Sequence, residues 1–178
     1  NQKSNKKSIK ALMINTKNAN TFTGEQGIYS LDEISKNLSR CLTLKESKSE
    51  AGITETVKIK DILFASTGVI GEKFPLEKIN NTIQLLVDKL RSEQNKIIWV
   101  KTASAIITTD TRPKLAYEEI NFGNKIIKIA GVAKGSGMIA PNLATMLSFI
   151  FTDADIAPNI LRSLLKKAAA NSFNAISV

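Results

Sequence analysis

The sequence predicts an α/β (α+β) fold, a layered sandwich in which mixed and antiparallel sheets are flanked by helices. Apolar segments of strand character alternate along the chain with segments whose apolar residues recur at helical spacing. The stretch Tyr117–Gly131 is typical of two strands joined at Phe122-Gly123-Asn124, which requires antiparallel pairing. This hairpin favours a layered sandwich over a doubly wound parallel sheet. No repeat or shift in composition marks a boundary, so we expect a single domain over residues 1–178.

The first half of the chain contains two predicted strands and a helix between them. Ser8–Asn15 is predicted to be a strand that runs into a polar loop. A helix should start after Ser30, which could form a capping box with Glu33. The lysine- and glutamate-rich segment Lys45–Thr56 is expected to be a surface excursion. Lys58–Ser66 is predicted to be the second strand, and it leads into a turn that contains glycine.

The second half continues the alternation. A helix should begin near Pro75 and bury one face, for which the predicted residues are Ile79, Ile83, Leu86 and Leu90. Beyond the hairpin, Met146–Asp153 has the composition of a strand, and an amphipathic helix should begin near Pro158. The final residues FNAISV are typical of a strand interrupted partway. We therefore expect this sequence to be a fragment of a longer precursor.

Composition excludes several classes of protein. No apolar run approaches the roughly 20 residues that a transmembrane helix needs, so no membrane association is expected. The polar start NQKSNKKSIK lacks the apolar centre of a secretory signal, which makes the cytoplasm the expected compartment. The single cysteine, Cys41, cannot form an internal disulfide and fits a buried position in a helix.

The formal net charge of +9 raises the alternative of a lysine-rich module that binds nucleic acid. The details disfavour it. Nearly all the basic residues are lysines, the exceptions being Arg40, Arg91, Arg112 and Arg162, whereas bidentate recognition of phosphates and bases favours arginine. Aromatic residues make up only 6% of the chain, so stacking platforms for bases would be sparse. We expect no nucleic-acid partner.

The chain contains no histidine. Within these residues a Ser-His-Asp triad, a Cys-His pair and a histidine-ligated metal site are therefore impossible. We predict no metal site, and any proton transfer must use another group.

The glycine-rich stretch Lys134–Leu147 is the most informative segment. It does not match a P-loop, because its lysine precedes the glycines, and alone it is compatible with an ordinary turn. It ends, however, in a small residue and a hydroxyl before an apolar strand. If the bond between Ala144 and Thr145 were broken, Thr145 would gain an α-amine that titrates near pH 7.7–8.0. Such an amine can act as the general base for its own hydroxyl. The alternative is that Thr145 is simply a strand residue.

A hydroxyl that attacks an acyl carbon needs donors for the developing oxyanion. Thr67 and Gly68 follow a predicted strand, where a backbone N–H and the Thr67 hydroxyl could point out of the sheet. A plain turn between strand and loop is the alternative.

Four blocks of the sequence together resemble the glutamate/ornithine N-acetyltransferase family of arginine biosynthesis. In chain order they are Asn18-Ala19-Asn20 with Thr23-Gly24, Ala65–Glu72, Thr108–Thr111 and Lys134–Leu147. The resemblance extends from about Ile9 to Val178, and it implies a self-processing fold of the N-terminal-nucleophile type.

The resemblance also implies a mechanism. The precursor would cut itself between Ala144 and Thr145, giving an α-chain that ends at residue 144 and a β-chain that starts at residue 145. Thr145 would then carry acetyl from N-acetylornithine to glutamate, with Thr67 and Gly68 as the oxyanion hole. Substrate-binding positions match Thr108, Lys134 and Thr145, where the Lys134 cation suits a carboxylate.

Further expectations concern partners and the family's limits. No cofactor is implied, but acetyl-CoA stays open as a second acetyl donor, and the cleaved chains are expected to form a heterotetramer of two α- and two β-chains. The family pattern commonly has glycine where this chain has Lys17, so the backbone of that loop is expected to be affected. An aminopeptidase or amidase with an N-terminal nucleophile, which passes the acyl group to water, is the alternative enzyme.

Overall fold

The computed structural model of the chain describes residues 9–47, 56–90, 95–135 and 146–175. Their contacts form two compact units, Asn1–Glu93 and Gln94–Val178, and each unit is described by itself. The helices and strands are, in order, β1 (Ala11–Asn15), α1 (Gly24–Ser47), a 3-10 turn (Ile59–Asp61), β2 (Ile62–Ser66), α2 (Leu76–Asp88), α3 (Lys96–Ile106), β3 (Lys114–Phe122), β4 (Lys125–Lys134), β5 (Leu147–Thr152) and α4 (Pro158–Ala170).

The first unit packs two helices against a pair of parallel strands. β1 pairs with β2 in a register that aligns Ala11 with Ile62 and Asn15 with Ser66. Helices α1 and α2 contribute most of the buried apolar side chains, which include Ile34, Leu38, Cys41, Ile79, Ile83 and Val87. Burial of this apolar surface is the main stabilising contribution to the unit. Both predicted strands and the burial of Cys41 are confirmed, but β2 begins only at Ile62, because Ile59–Asp61, which were predicted as part of it, form a 3-10 turn.

Helix α1 begins earlier than the sequence predicted. It starts at Gly24 rather than after Ser30, so the predicted capping box of Ser30 and Glu33 is wrong. Ser30 lies inside the helix and is fully buried, and its hydroxyl has no hydrogen-bond partner among the described residues. The segment Lys45–Thr56 also differs from prediction, because the helix continues to Ser47. Residues 48–55 lie outside the described part of the chain.

Helix α2 has the predicted start but a narrower buried face. Ile79, Ile83 and Val87 are buried, whereas Leu86 and Leu90 are about half exposed. The buried positions are spaced by four residues, so they form one row along the helix, and Leu86 and Leu90 lie off that row.

The second unit is built on an antiparallel sheet with the order β3-β4-β5. The predicted hairpin is confirmed, since β3 and β4 pair from Lys114 with Ala133 to Phe122 with Lys125. β5 pairs with the other edge of β4, in agreement with the predicted strand at Met146–Asp153. One parallel pair and one antiparallel sheet, each with helices, confirm the predicted α+β class with mixed strand directions.

Helix α3 was not predicted from the sequence. The side chain of Asn95 caps its first turn by accepting a hydrogen bond from the Ile98 N–H at 3.0 Å. The helix packs on the sheet through Ala103 and Ile106, which are buried, and Trp99 contacts Phe151 of β5 edge-to-face at 5.4 Å between ring centroids. It therefore covers part of the sheet.

Helix α4 begins at Pro158 as predicted, with proline in its first turn. Its apolar stripe of Ile160, Leu161, Leu164 and Leu165 is about half exposed. Among the described residues, no helix has the length and apolarity required to span a bilayer. The prediction of a single domain, with a boundary between chains at Ala144 and Thr145, stays a prediction.

Candidate active site

The predicted oxyanion residues lie just beyond the carboxyl end of β2. The parallel pairing with β1 continues there, because the N–H groups of Thr67 and Val69 donate to Asn15 O and Lys17 O, each at 3.0 Å. The Gly68 N–H, which lies between these two donors in the chain, takes no part in the pairing with β1. Among the described residues it has no acceptor, and neither does the hydroxyl of the buried Thr67. Two adjacent donors are thus left available.

Gly68 is held in close contact with the neighbouring loop. Its φ is 139°, and a Cβ atom at this position would lie 2.1 Å from the carbonyl carbon of Lys17 and 2.4 Å from the backbone N of Asn18. No side chain can be accommodated at these distances. The close approach requires glycine, which is the residue with no Cβ atom.

Lys17 adopts the left-handed conformation, with φ of 75°. This region is the one that favours glycine, and a residue with a Cβ atom pays a steric cost there. The effect of Lys17 on the loop is therefore backbone strain at this position. The hydrogen bond from Val69 N–H to Lys17 O holds the loop against β2 in this conformation.

Asn20 links this loop to both β2 and α1. Its backbone N–H donates to Ser66 Oγ at 3.0 Å, and its side-chain Nδ2 donates to Gly27 O at 3.1 Å. Its Oδ1 accepts a hydrogen bond from Thr23 Oγ1 at 2.6 Å. Sequence reasoning placed Asn20 in a family block without giving it a role. Through these contacts Asn20 fixes the turn Asn18–Thr23 between β2 and the first turn of α1.

In the second unit, Lys134 and Thr108 are brought together by a direct hydrogen bond. Lys134 is the last residue of β4, it is only 5% exposed, and its Nζ donates to Thr108 Oγ1 at 2.9 Å. A buried ammonium has three donors and needs acceptors for them. Thr108 is the one acceptor that Lys134 has among the described residues, so the remaining donors can serve an incoming carboxylate.

Asp110 is a functional candidate that sequence reasoning left without a role. Its side chain is fully buried, and its Oδ1 accepts hydrogen bonds from Gly135 N–H at 2.7 Å and from Lys114 Nζ at 2.5 Å. Oδ2 lies 3.5 Å from the Thr108 N. Burial raises the pKa of Asp110, but the hydrogen bond from Lys114 and those from the Gly135 and Thr108 N–H groups lower it more, so the pKa lies below its usual value. Asp110 is therefore an anion at neutral pH.

The predicted site residues thus fall into three groups. Thr67 and Gly68 belong to the first unit, and Thr108 and Lys134 to the second. The predicted cleavage site and nucleophile, Ala144 and Thr145, lie outside the described residues. In the part of the chain that the structure describes, no group of three or more His, Cys, Asp or Glu side chains is arranged to hold a metal ion.

Curated relatives match nearly the whole chain. The "Arginine biosynthesis bifunctional protein ArgJ" of Nitrobacter winogradskyi is 41% identical over 171 residues, which covers 94% of this chain and 36% of the relative. The protein of the same name from Colwellia psychrerythraea is 42% identical over 170 residues, covering 96% of this chain and 36% of the relative. The chain thus spans little more than a third of the length of these relatives.

Solved structures share the fold. The crystal structure of the arginine biosynthesis bifunctional protein ArgJ from Bacillus halodurans matches with a TM-score of 0.58 and 29% identity, covering 76% of this chain and 61% of that chain. An ornithine acetyltransferase from Mycobacterium tuberculosis, complexed with ornithine, matches with a TM-score of 0.53 and 21% identity, covering 76% and 62% respectively. The model of the ArgJ family matches residues 1–178. On these matches, the chain belongs to the ArgJ family.

Proposed function

We propose that the full-length protein transfers acetyl from N-acetylornithine to glutamate through an acetyl ester on Thr145. The buried Lys134 ammonium, with a hydroxyl as its one described partner, is the observation that carries this proposal, because it suits a substrate that bears a carboxylate. Membership of the ArgJ family supports the same activity. The names of the relatives place those proteins in arginine biosynthesis.

Self-cleavage between Ala144 and Thr145 would prepare the nucleophile. Water adds across the peptide bond, which leaves a carboxylate on Ala144 and an α-amine on Thr145. That amine accepts the proton of the Thr145 hydroxyl as its oxygen attacks the acetyl carbonyl, and ornithine leaves with a proton on its amine. The glutamate amine then attacks the ester, which forms N-acetylglutamate and restores the Thr145 hydroxyl.

Two donors would stabilise the negative charge that develops on the acetyl oxygen. The Gly68 N–H and the Thr67 hydroxyl have no described acceptors, which supports their assignment as the oxyanion hole. Loss of one such donor typically costs about 100- to 1,000-fold in rate. The conformation of Gly68 is fixed by its contact with the Lys17–Asn18 peptide, so these donors would require little reorganisation during the reaction.

Lys134 is proposed to bind the carboxylate of the substrate near the nucleophile. Leu147 pairs with Lys134 across β4 and β5, and it follows Thr145 by only two residues in the sequence. Two residues of chain span at most about 7 Å. This closeness of Thr145 to Leu147 along the chain supports a shared role for Thr145 and Lys134.

Mass spectrometry of the denatured full-length protein tests the proposal directly. We expect two chains separated before Thr145, and a single uncleaved chain for Thr145→Ala. An uncleaved wild-type protein with full transferase activity would overturn the proposal.

An assay of N-acetylornithine with and without glutamate separates transfer from hydrolysis. Transfer requires the acceptor, whereas an N-terminal-nucleophile amidase would release acetate without it. The same assay with acetyl-CoA as the donor tests the second proposed substrate. We also propose that the protein works in the cytoplasm and that its cleaved chains assemble into a heterotetramer, which native mass spectrometry would detect.

A further inference from the structure

Lys134 is a buried cation that lacks a carboxylate partner in the described part of the chain. Its Nζ donates to the neutral hydroxyl of Thr108. Lys134 is the last residue of β4, and it is only 5% exposed. A buried charge without an opposite charge destabilises the folded protein. Binding of an anionic ligand would offset this cost for Lys134. A buried carboxylate, that of Asp110, nevertheless accepts hydrogen bonds from two neighbours of Lys134, the N–H groups of Gly135 and Thr108.

Asp110 makes its ion pair with Lys114 rather than with Lys134. Its Oδ1 accepts hydrogen bonds from Lys114 Nζ and from Gly135 N–H, and the Lys114 side chain approaches from the surface with 48% exposure. The negative charge of Asp110 is thus matched by Lys114. The positive charge of Lys134 is left for another anion.

The contacts of Asp110 also fix the two neighbours of the Lys134 ammonium. Gly135 follows Lys134 directly in the chain, and Thr108, which accepts the Lys134 hydrogen bond, lies two residues before Asp110. One carboxylate therefore ties the end of β4 to the segment that follows α3. Movement of either segment would redirect Lys134 Nζ.

We propose that Asp110 and Lys114 are positioning residues that orient Lys134 and reserve its charge for the carboxylate of the substrate. This inference rests on the proposed function. Removal of the Lys114 ammonium leaves the buried Asp110 without its cation, and Lys134, which is bonded to Thr108 in the same network, becomes an alternative partner. An internal pair of Asp110 with Lys134 competes with the substrate carboxylate, so binding weakens while the acyl chemistry at Thr145 is retained.

The test compares variants of the full-length protein. Lys114→Met removes the cation and keeps the length of the side chain, Lys114→Arg retains the charge, and Lys125→Met makes the same change at the exposed end of the β3-β4 hairpin. The substrates are N-acetylornithine and its carboxamide, which lacks the negative charge. The measured quantities are kcat, KM, the ratio of kcat/KM for the two substrates, and the melting temperature.

We expect Lys114→Met to raise KM for N-acetylornithine at least about fivefold, with kcat within about twofold of wild type. The preference for carboxylate over carboxamide should fall by a similar factor. Lys114→Arg should restore most of that preference, and Lys125→Met should match wild type. A merely structural role of Lys114 would change the melting temperature without changing the substrate preference.

Two results would overturn the inference. One is a wild-type preference for the carboxylate in Lys114→Met, and the other is an equal loss of preference in Lys114→Arg. If Lys114→Met does not accumulate as folded protein, the comparison of Lys114→Arg with Asp110→Asn tests the orienting contacts: Asp110→Asn should lose the preference, because it weakens the hydrogen bonds that hold Gly135 and Thr108 around Lys134, and Lys114→Arg should keep it. A wild-type protein that fails to transfer acetyl would instead refute the proposed function, which separates the two failures.

Discussion

Gly68 has backbone atoms where any other residue would carry its Cβ. We expect Gly68→Ala to lower the free energy of unfolding by about 2–4 kcal/mol, because a methyl group 2.1 Å from Lys17 C and 2.4 Å from Asn18 N forces the two segments apart at an unfavourable φ. Denaturant unfolding followed by circular dichroism would measure this. The separation of the segments should also remove most of the transferase activity, since Gly68 N–H is a proposed oxyanion donor.

Gly71 provides the matched control for Gly68. It also has a positive φ, of 80°, but a Cβ atom there would meet nothing within 4 Å. Gly71→Ala should therefore cost only the conformational strain, about 1 kcal/mol. Equal losses in the two variants would show that the contact with the Lys17–Asn18 peptide is unimportant.

The backbone of Lys17 is strained because the residue has a Cβ atom in the left-handed region. At φ of 75° a glycine avoids the steric cost of the left-handed region. We expect Lys17→Gly to be more stable to denaturant than Lys17→Ala by about 1 kcal/mol. Both variants lack the lysine side chain, so the comparison isolates the backbone. Greater stability of the alanine variant would contradict the assignment of strain.

Asp110 should make the stability of the second unit sensitive to acid. Its pKa is lower in the folded protein than in the unfolded chain, so its contribution to stability is present above the unfolded pKa of about 3.9 and is lost as the pH falls through the folded pKa. We expect the difference in unfolding free energy between wild type and Asp110→Asn to shrink below about pH 4. Hydrogen exchange of peptides from residues 108–135, measured at several pH values in both proteins, would follow this difference in free energy. A difference that is constant with pH would mean that the charge of Asp110 is not what stabilises this segment.

The sequence revealed some of these residues and not others, for a physical reason. Thr67, Gly68, Thr108 and Lys134 stand in motifs that are recognisable from their order along the chain. The role of Asp110 depends on Gly135, which lies 25 residues later, and on the burial of its own side chain. Neither property is encoded in the neighbouring residues. A motif therefore identifies the groups that are proposed to meet the substrate more readily than the groups that are proposed to orient them.

At the scale of elements, prediction succeeded where a segment had one strong periodic pattern. The hairpin of β3 and β4 has alternating residues and a glycine turn, and its bounds were nearly correct. Helix α3 was missed because its sequence KIIWVKTASAI is apolar on most sides and rich in β-branched residues, which also suit a strand. Helix α1 starts early because the contacts of Asn20 with Thr23 and Gly27 support its first turn. Such support comes from outside the helical segment.

Lys45 of α1 stabilises the end of α2. Its Nζ donates to Val87 O at 2.6 Å and to Leu90 O at 2.8 Å, so a cation binds carbonyl groups at and just beyond the carboxyl end of α2. We expect Lys45→Met to lower the unfolding free energy by about 1–2 kcal/mol. Denaturant unfolding is the measurement, and Lys36→Met is the control.

The control is informative because Lys36 also makes charged contacts. It pairs with Asp32 and Glu33 on the exposed face of the same helix, and the hydrogen bonds that its ammonium donates to these carboxylates raise its pKa. Exposed pairs of this kind contribute little to stability because water and salt screen them. A loss for Lys36→Met as large as that for Lys45→Met would mean that charge on α1, rather than the end of α2, is what matters.

At the scale of the whole molecule, the absence of histidine from these 178 residues bears on the proposed mechanism. The general base assigned to Thr145 is its own α-amine, which has an ordinary pKa of about 7.7–8.0. Only the neutral amine can accept the hydroxyl proton. We therefore expect kcat/KM for N-acetylornithine to fall tenfold per pH unit on the acidic side of one ionisation, which a pH profile of the full-length enzyme would show.

The position of that ionisation distinguishes the α-amine from other bases. Lys134, if it lies near Thr145 as proposed, would disfavour a second positive charge and move the midpoint below the ordinary value of the amine. Lys134→Met should then shift the midpoint upward, because the neighbouring cation is gone, in addition to raising KM. A histidine base supplied by another part of the full-length protein would give a midpoint near 6.5. Any base beside Thr145 would respond to Lys134 in this direction, so the shift tests the proximity of Lys134, and the midpoint in Lys134→Met, about 7.7–8.0 for the amine and about 6.5 for a histidine, identifies which group takes the proton.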